Sequence, residues 1–190
     1  MSARAQESGA DGGALVVLLV LGLLAAGQQA AKPQQARPRP TATTAPASTR
    51  PPAGLSFTDG AGCRPAGDYA SPRLDRRVRA LLATAAAHHR IRVSCLRTGH
   101  SWFVAGTTRV SNHSVWRAVD VDQVDGQAVS PSNTAARQLA RWIGQGSAGA
   151  QPSEVGSPWD DFGPGPWFTD AAHEDHIHVG FAGPTQGGGR

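Results

Sequence analysis

The run Asp175-His176-Ile177-His178-Val179-Gly180-Phe181 carries two patterns at once. Ile177, Val179 and Phe181 alternate strictly, the period of a strand with one buried face. His176 and His178 then share the opposite face, where two imidazoles can reach one cavity. Upstream, Val119 and Val121 alternate with Asp120 and Asp122 in a second strand over Trp116–Asp122. Asp125-Gly126 is a hairpin signal that returns the chain through Gln127-Ala128-Val129. Ile91-Arg92-Val93-Ser94 reads as a further strand. A helix is predicted over 73–89, with Val78, Leu81, Leu82 and Ala85 at helical spacing. Another is predicted over 133–145, capped by Ser130-Pro131-Ser132-Asn133, with Ala136, Leu139, Ala140, Trp142 and Ile143 inward. The predicted fold class is α+β, a small antiparallel or mixed sheet with flanking helices.

These elements occupy only part of the chain of 190 residues. Residues 14–27, ALVVLLVLGLLAAG, are uncharged and apolar, but shorter than the run of about 20 that a spanning helix needs. Segment 1–27 reads as a signal peptide or membrane anchor, with small residues at Ala25-Ala26-Gly27 for cleavage. Segment 28–55 is rich in Pro, Ala, Thr and Gln, cannot bury a core, and reads as a disordered linker. The folded domain is expected over 56–190, secreted or anchored at the cell envelope. The membrane would be met only through an uncleaved N-terminal segment, and the domain is expected to be a monomer. In an exported chain, Cys63 and Cys95, with no third cysteine, read as one disulfide.

The net charge of +4 conceals a division. Residues 56–110 hold nine basic and three acidic side chains, whereas 111–190 hold four and nine. A uniformly basic chain would suggest nucleic acid. Here the acidic third also holds His113, His173, His176 and His178, which points to a cation and excludes nucleic acid as the expected partner. The arginines at 73, 76, 77 and 79 read as a solvated helix face.

His113 lies seven positions before Asp120, in the loop leading into that strand. With His178 these side chains are suitable zinc ligands that leave one position open for water. Asp122 shares Asp120's face and is a competing carboxylate. A serine triad of Ser111, His113 and Asp120 is disfavoured, because no Gly-x-Ser-x-Gly turn surrounds a serine. His88-His89 reads as a structural pair at a helix C-terminus, and His173 as a neighbour of the site or a surface residue. Trp159, Phe162, Trp167 and Phe168 fall in a Gly/Pro-rich loop over 156–169, where they either pack a satellite core or wall a cleft.

Ser111-Asn112-His113-Ser114-Val115-Trp116-Arg117-Ala118-Val119-Asp120 resembles the Ser-x-His-x-x-Gly-x-Ala-x-Asp motif of the hedgehog and D-Ala-D-Ala metallopeptidase superfamily. Asp175-His176-Ile177-His178 resembles its second motif, an acid followed by His-x-His. The resemblance covers about 90–181 and implies the peptidase-like zinc-binding fold of that superfamily. It implies Zn²⁺ on His113, Asp120 and His178, with Asp175 as general base and His176 orienting or stabilising beside the metal. Arg97 stands where relatives hold the scissile carbonyl or a terminal carboxylate, with Arg109 a competitor. Ser111 and Trp116 would contact substrate, Trp116 replacing the usual Gly. The activity implied is amide hydrolysis in peptidoglycan stem peptides, of D-Ala-D-Ala carboxypeptidase type or as an endopeptidase. The alternative is a zinc-containing wall-binding module without hydrolysis, because some members of the superfamily bind metal without being peptidases. Val93–His100 and Glu154–Pro158 also resemble segments of exported actinobacterial proteins, a likeness that brings no activity with it.

Overall fold

The computed structural model describes residues 49–183. The apolar run 14–27, linker residues 28–48 and residues 184–190 lie outside the described residues. Among the described residues no helix is long and apolar enough to cross a membrane.

In chain order the elements are β1 (Leu55–Phe57), α1 (Pro65–Ala70), α2 (Arg76–His88), β2 (Ile91–Cys95), β3 (Ala118–Val124), β4 (Gln127–Ala128), α3 (Thr134–Gly144), β5 (Glu154–Gly156), β6 (Trp167–Phe168) and β7 (Ile177–Gly180). The strands form one open mixed sheet of order β1-β2-β3-β7-β5-β6, with β4 on β3. The β1–β2 and β5–β6 pairs are parallel and the rest antiparallel. The chain is therefore α+β, as its periodicity predicts.

Helix α2 begins at Arg76, because the Asp75 carboxylate accepts from the Arg77 backbone N–H at 2.8 Å and caps it. It buries Val78, Leu81, Leu82 and Ala85, the apolar set expected. One arginine of this helix departs from the solvated face. Arg79 is buried, donates to the Ser71 carbonyl at 2.5 Å and lies over the Tyr69 ring. Asn133 caps α3 by accepting from the Ala136 N–H at 3.0 Å.

Strand β1 starts at Leu55, the last residue read as linker. Leu55 is buried and pairs with Ile91. Three residues after a Pro-rich stretch are too few to show an alternation. Strands β5 and β6, at or within the loop expected over 156–169, are as short. The Cys63–Cys95 disulfide ties the segment before α1 to the end of β2, as the cysteine pairing predicts.

The two faces of the sheet are chemically distinct. Val93, Val119, Val121, Ile177 and Val179 are buried in the core with the helices' apolar stripes. Asp120 and His178 alternate with these residues and belong to the other face. A register shift between Val93 and Cys95 sets two residues of β2 against one step of β3, so Cys95 pairs with Asp120. This bulge brings the disulfide to Asp120's side.

Candidate metal centre

Strand pairing assembles the site as one row across the sheet. Cys95 pairs with Asp120, Asp120 with His178, His178 with Gly156, and Gly156 with Phe168. Residues directly opposite in neighbouring strands present their side chains to the same face. Gly156 is required in this row, because a Cβ there would lie 2.6 Å from both His173 Cδ2 and Phe168 Cζ. Its missing side chain lets both rings close in beside His178.

His113 comes from the turn before β3, which is closed by Arg117 N–H donating to the Asn112 carbonyl at 2.8 Å and Trp116 N–H to the His113 carbonyl at 2.9 Å. Trp116 has φ +65°, the left-handed region that suits glycine. This is the position at which the superfamily motif carries Gly. The Trp116 ring stacks beneath the Arg73 guanidinium at 5.2 Å and does not line the cleft that holds His113.

Three donor atoms converge on the floor of that cleft. His113 Nε2 lies 3.2 Å from Asp120 Oδ1 and 3.0 Å from His178 Nδ1, and His178 Nδ1 lies 2.9 Å from Asp120 Oδ1. Tetrahedral donors about 2.0–2.1 Å from one ion stand about 3.3 Å apart, so the donor set suits a small divalent cation. The outer nitrogens are anchored as ligating histidines require. His113 Nδ1 is bonded to the Leu96 carbonyl, and His178 Nε2 meets Glu154 Oε1 at 3.2 Å. Glu154 is itself held by Asn112 at 2.7 Å and Arg109 at 2.7 Å.

A third histidine joins them. His100 stacks on His113 with ring centroids 3.6 Å apart and planes 5° from parallel. Its Nε2 is buried without a hydrogen bond and stands 3.3 Å from Asp120 Oδ2. His100, His113 and Asp120 also form a group whose ligand atoms could hold a metal ion. The loop carrying His100 is fixed by buried Asp68, whose carboxylate accepts from the Arg97 N–H at 2.9 Å and the Thr98 N–H at 2.7 Å. Neither His100 nor Glu154 was expected at the site from the sequence. His100 follows a turn rather than a periodic run, and Glu154 opens a three-residue strand.

Burial by itself pushes the Asp120 carboxyl up, but facing His113, His100 and His178 hold it well below the usual carboxylate range. Burial likewise pushes His178 down, yet Asp120 and Glu154 on its two ring nitrogens outweigh this and raise it to about 9. Glu154 is held far below its ordinary range, first by His178 and then by Arg109 and Asn112. His113 is lowered by its burial.

The other expected residues divide. His176 lines the cleft, with Nε2 3.8 Å from Asp120 Oδ1. Asp175 does not line it. Its side chain is 88% exposed and accepts from His176 Nδ1 at 2.8 Å. Ser111 is buried in the cleft wall. Arg97 is not in that wall, whereas Arg109 is. Asp122 is taken by Arg92, in a fork of 2.9 and 2.7 Å. Of the aromatic loop, Trp159, Phe162 and Trp167 pack on the core and Phe168 walls the cleft. His88 edges onto Trp142, and His89 pairs with Asp125 at 2.8 Å, both structural as expected. His173 lines the cleft and is bonded to Asp170 at 2.6 Å.

No family model, curated protein or solved structure matches the chain.

Proposed function

We propose that this chain is an exported zinc-dependent peptidase that hydrolyses an amide bond in peptidoglycan stem peptides. The observation that carries this reading is the mutual spacing of His113 Nε2, Asp120 Oδ1 and His178 Nδ1, all within 2.9–3.2 Å of one another at the base of an open cleft. These three atoms would hold zinc, as the resemblance to the hedgehog and D-Ala-D-Ala metallopeptidase superfamily implies. The φ of Trp116 at that motif's Gly position supports the same reading. A bound zinc supplies a Lewis acid and a water whose pKa falls toward about 7.

The chain's own groups supply the rest. His176 faces the cleft with Nε2, so it is the group placed to accept a proton and return it to a leaving amine. Asp175 accepts from the other ring nitrogen at 2.8 Å and orients it. The proton-carrying role thus moves from Asp175, expected from the resemblance, to His176 with Asp175 behind it. Phe168 and Phe103 wall the cleft and offer apolar surface to a substrate.

One observation favours the zinc-containing wall-binding module instead. If His100 Nε2, which stands 3.3 Å from Asp120 Oδ2, joined the three donors, four protein groups would close the coordination sphere, as in structural zinc sites. Digestion of purified muropeptides by the zinc-loaded full chain, read by mass spectrometry, separates the two. Released amino acids or shortened stems support the peptidase. Co-sedimentation with peptidoglycan without release, together with unfolding on chelation, supports the closed site.

A further inference from the structure

We propose that the substrate is an internal stretch of peptide lying across the metal centre, with residues bound in a cleft on each side of it. This rests on the hydrolase reading above and concerns which bonds that site accepts. The cleft already described encloses about 620 Å³ and is lined by Phe103, Val104, Arg109 and Phe168 among others. A second cleft of about 540 Å³ is lined by Thr58, Asp59, Arg92, Ser94 and Asp122, with the disulfide in its wall. The two share His100, Asp120 and His176. Asp120, with His100 and His176 beside it, therefore stands where two clefts meet, not at a blind end.

An enzyme that trims single residues from a C-terminus needs a free cation to pair with the terminal carboxylate. The arginines lining these clefts each already meet a carboxylate. Arg109 Nη1 lies 2.7 Å from Glu154 Oε2. Arg92 forks onto Asp122 with both Nε and Nη2. No other Arg or Lys among the described residues lines either cleft, and Arg97 lines neither. Arg92 is paired with Asp122 and Arg109 with the Glu154 that also meets His178, which suits the uncharged backbone of a chain that continues past the site.

The two sides differ in chemistry. Trp102, Phe103 and Val110 are the exposed large apolar residues of the described chain. Phe103 and Val110 face each other across an isolated bridge, and Val104 N–H donates to the Arg109 carbonyl at 2.9 Å. This projecting loop sets an apolar rim on the first cleft. The second cleft carries the Thr58 and Ser94 hydroxyls and the Arg92–Asp122 pair beside the disulfide. An apolar side chain fits on the first side of the scissile bond and a polar one on the second.

The test uses the zinc-loaded full chain and a peptide of about eight residues, ~27 Å when extended, prepared with a C-terminal carboxylate and as its amide. Internal cleavage of both forms, with kcat/KM within about threefold, is expected. Release of single C-terminal residues, abolished by amidation, would overturn the inference while leaving the hydrolase reading intact. Asp59→Trp, at an exposed position in the second cleft, and Phe103→Ser, in the first, should each lower kcat/KM on the long peptide about tenfold and leave zinc affinity unchanged. Calorimetric binding of the amide peptide to the His176→Ala chain provides a readout independent of turnover. Weaker binding when Asp59→Trp or Phe103→Ser is added to the His176→Ala chain, without hydrolysis by the parent chain, would retain the two-sided groove and reject the hydrolase. Unchanged binding in both would reject the groove whatever the activity.

Discussion

Glu154 Oε1 lies 3.2 Å from His178 Nε2, on the side of the ring opposite the Nδ1 that faces Asp120. The imidazole is thus held between two carboxylates, one inside the donor cluster and one outside it. Gly180 makes room for this contact, because a Cβ there would run into Glu154 Oε1 and come within 2.9 Å of Asn112 Nδ2. The outer carboxylate fixes ring orientation and raises the basicity of the inner nitrogen.

Replacing Glu154 by Gln keeps the shape and removes the charge. Zinc affinity is expected to fall about ten- to a hundredfold, measured by competition with a chromophoric chelator, while circular dichroism stays unchanged. An unaltered affinity would show that His178 needs no outer anchor.

His176→Ala should lower kcat by about 10²–10⁴-fold with zinc retained, the range for loss of a positioned proton carrier. Asp175→Asn should cost less, because Asp175 meets only the far nitrogen of that ring. Equal losses in the two variants would return the proton to Asp175 itself.

The Cys63–Cys95 bridge closes a loop of sequence separation 32. A Cys63→Ser/Cys95→Ser chain is expected to lose about 2–4 kcal/mol of stability, read as a lower urea midpoint. Reduction should also perturb the second cleft, where both sulfurs lie. A midpoint unchanged within error would contradict this.

Acid should weaken the start of α2. Burial pushes the Asp75 carboxyl up, but its hydrogen bonds and charge pairing with Arg77 win and hold it below 3.8. A depressed carboxyl contributes stability that is present above its unfolded pKa and lost as pH falls through the folded value. Wild-type stability should therefore decline below about pH 4, and Asp75→Asn, which can still cap the helix, should show a shallower decline. Parallel pH profiles for the two chains would remove Asp75 from the acid response.

The core was legible where periodicity was long enough to read. Val119, Val121, Ile177 and Val179 identify the buried face of β3 and β7, and the same alternation places Asp120 and His178 on the other. His113 was joined to them by its place in the loop leading into β3 and by the motif rather than by alternation, because a turn has no period. His100 and Glu154 lay beyond reach for a different reason. His100 arrives through a loop pinned by Asp68, 32 residues earlier in the chain, and Glu154 through a strand three residues long. Such contacts are decided by tertiary packing, not by local pattern. Asp175 shows the limit of spacing arguments, because the third residue before His178 points its carboxylate to solvent and reaches the cleft only through His176.

The crosswise row through Cys95, Asp120, His178, Gly156 and Phe168 has a consequence for how the chain attains its native pairing. A slip of one residue between β3 and β7 would turn either Asp120 or His178 toward the apolar core. The donors would part, and a carboxylate or an imidazole would face hydrocarbon. A cation that binds only the correct alignment adds its binding free energy to that alignment alone. The metal site would then act as a proofreader of strand register, rewarding the one sheet in which the donor face and the core face are not exchanged.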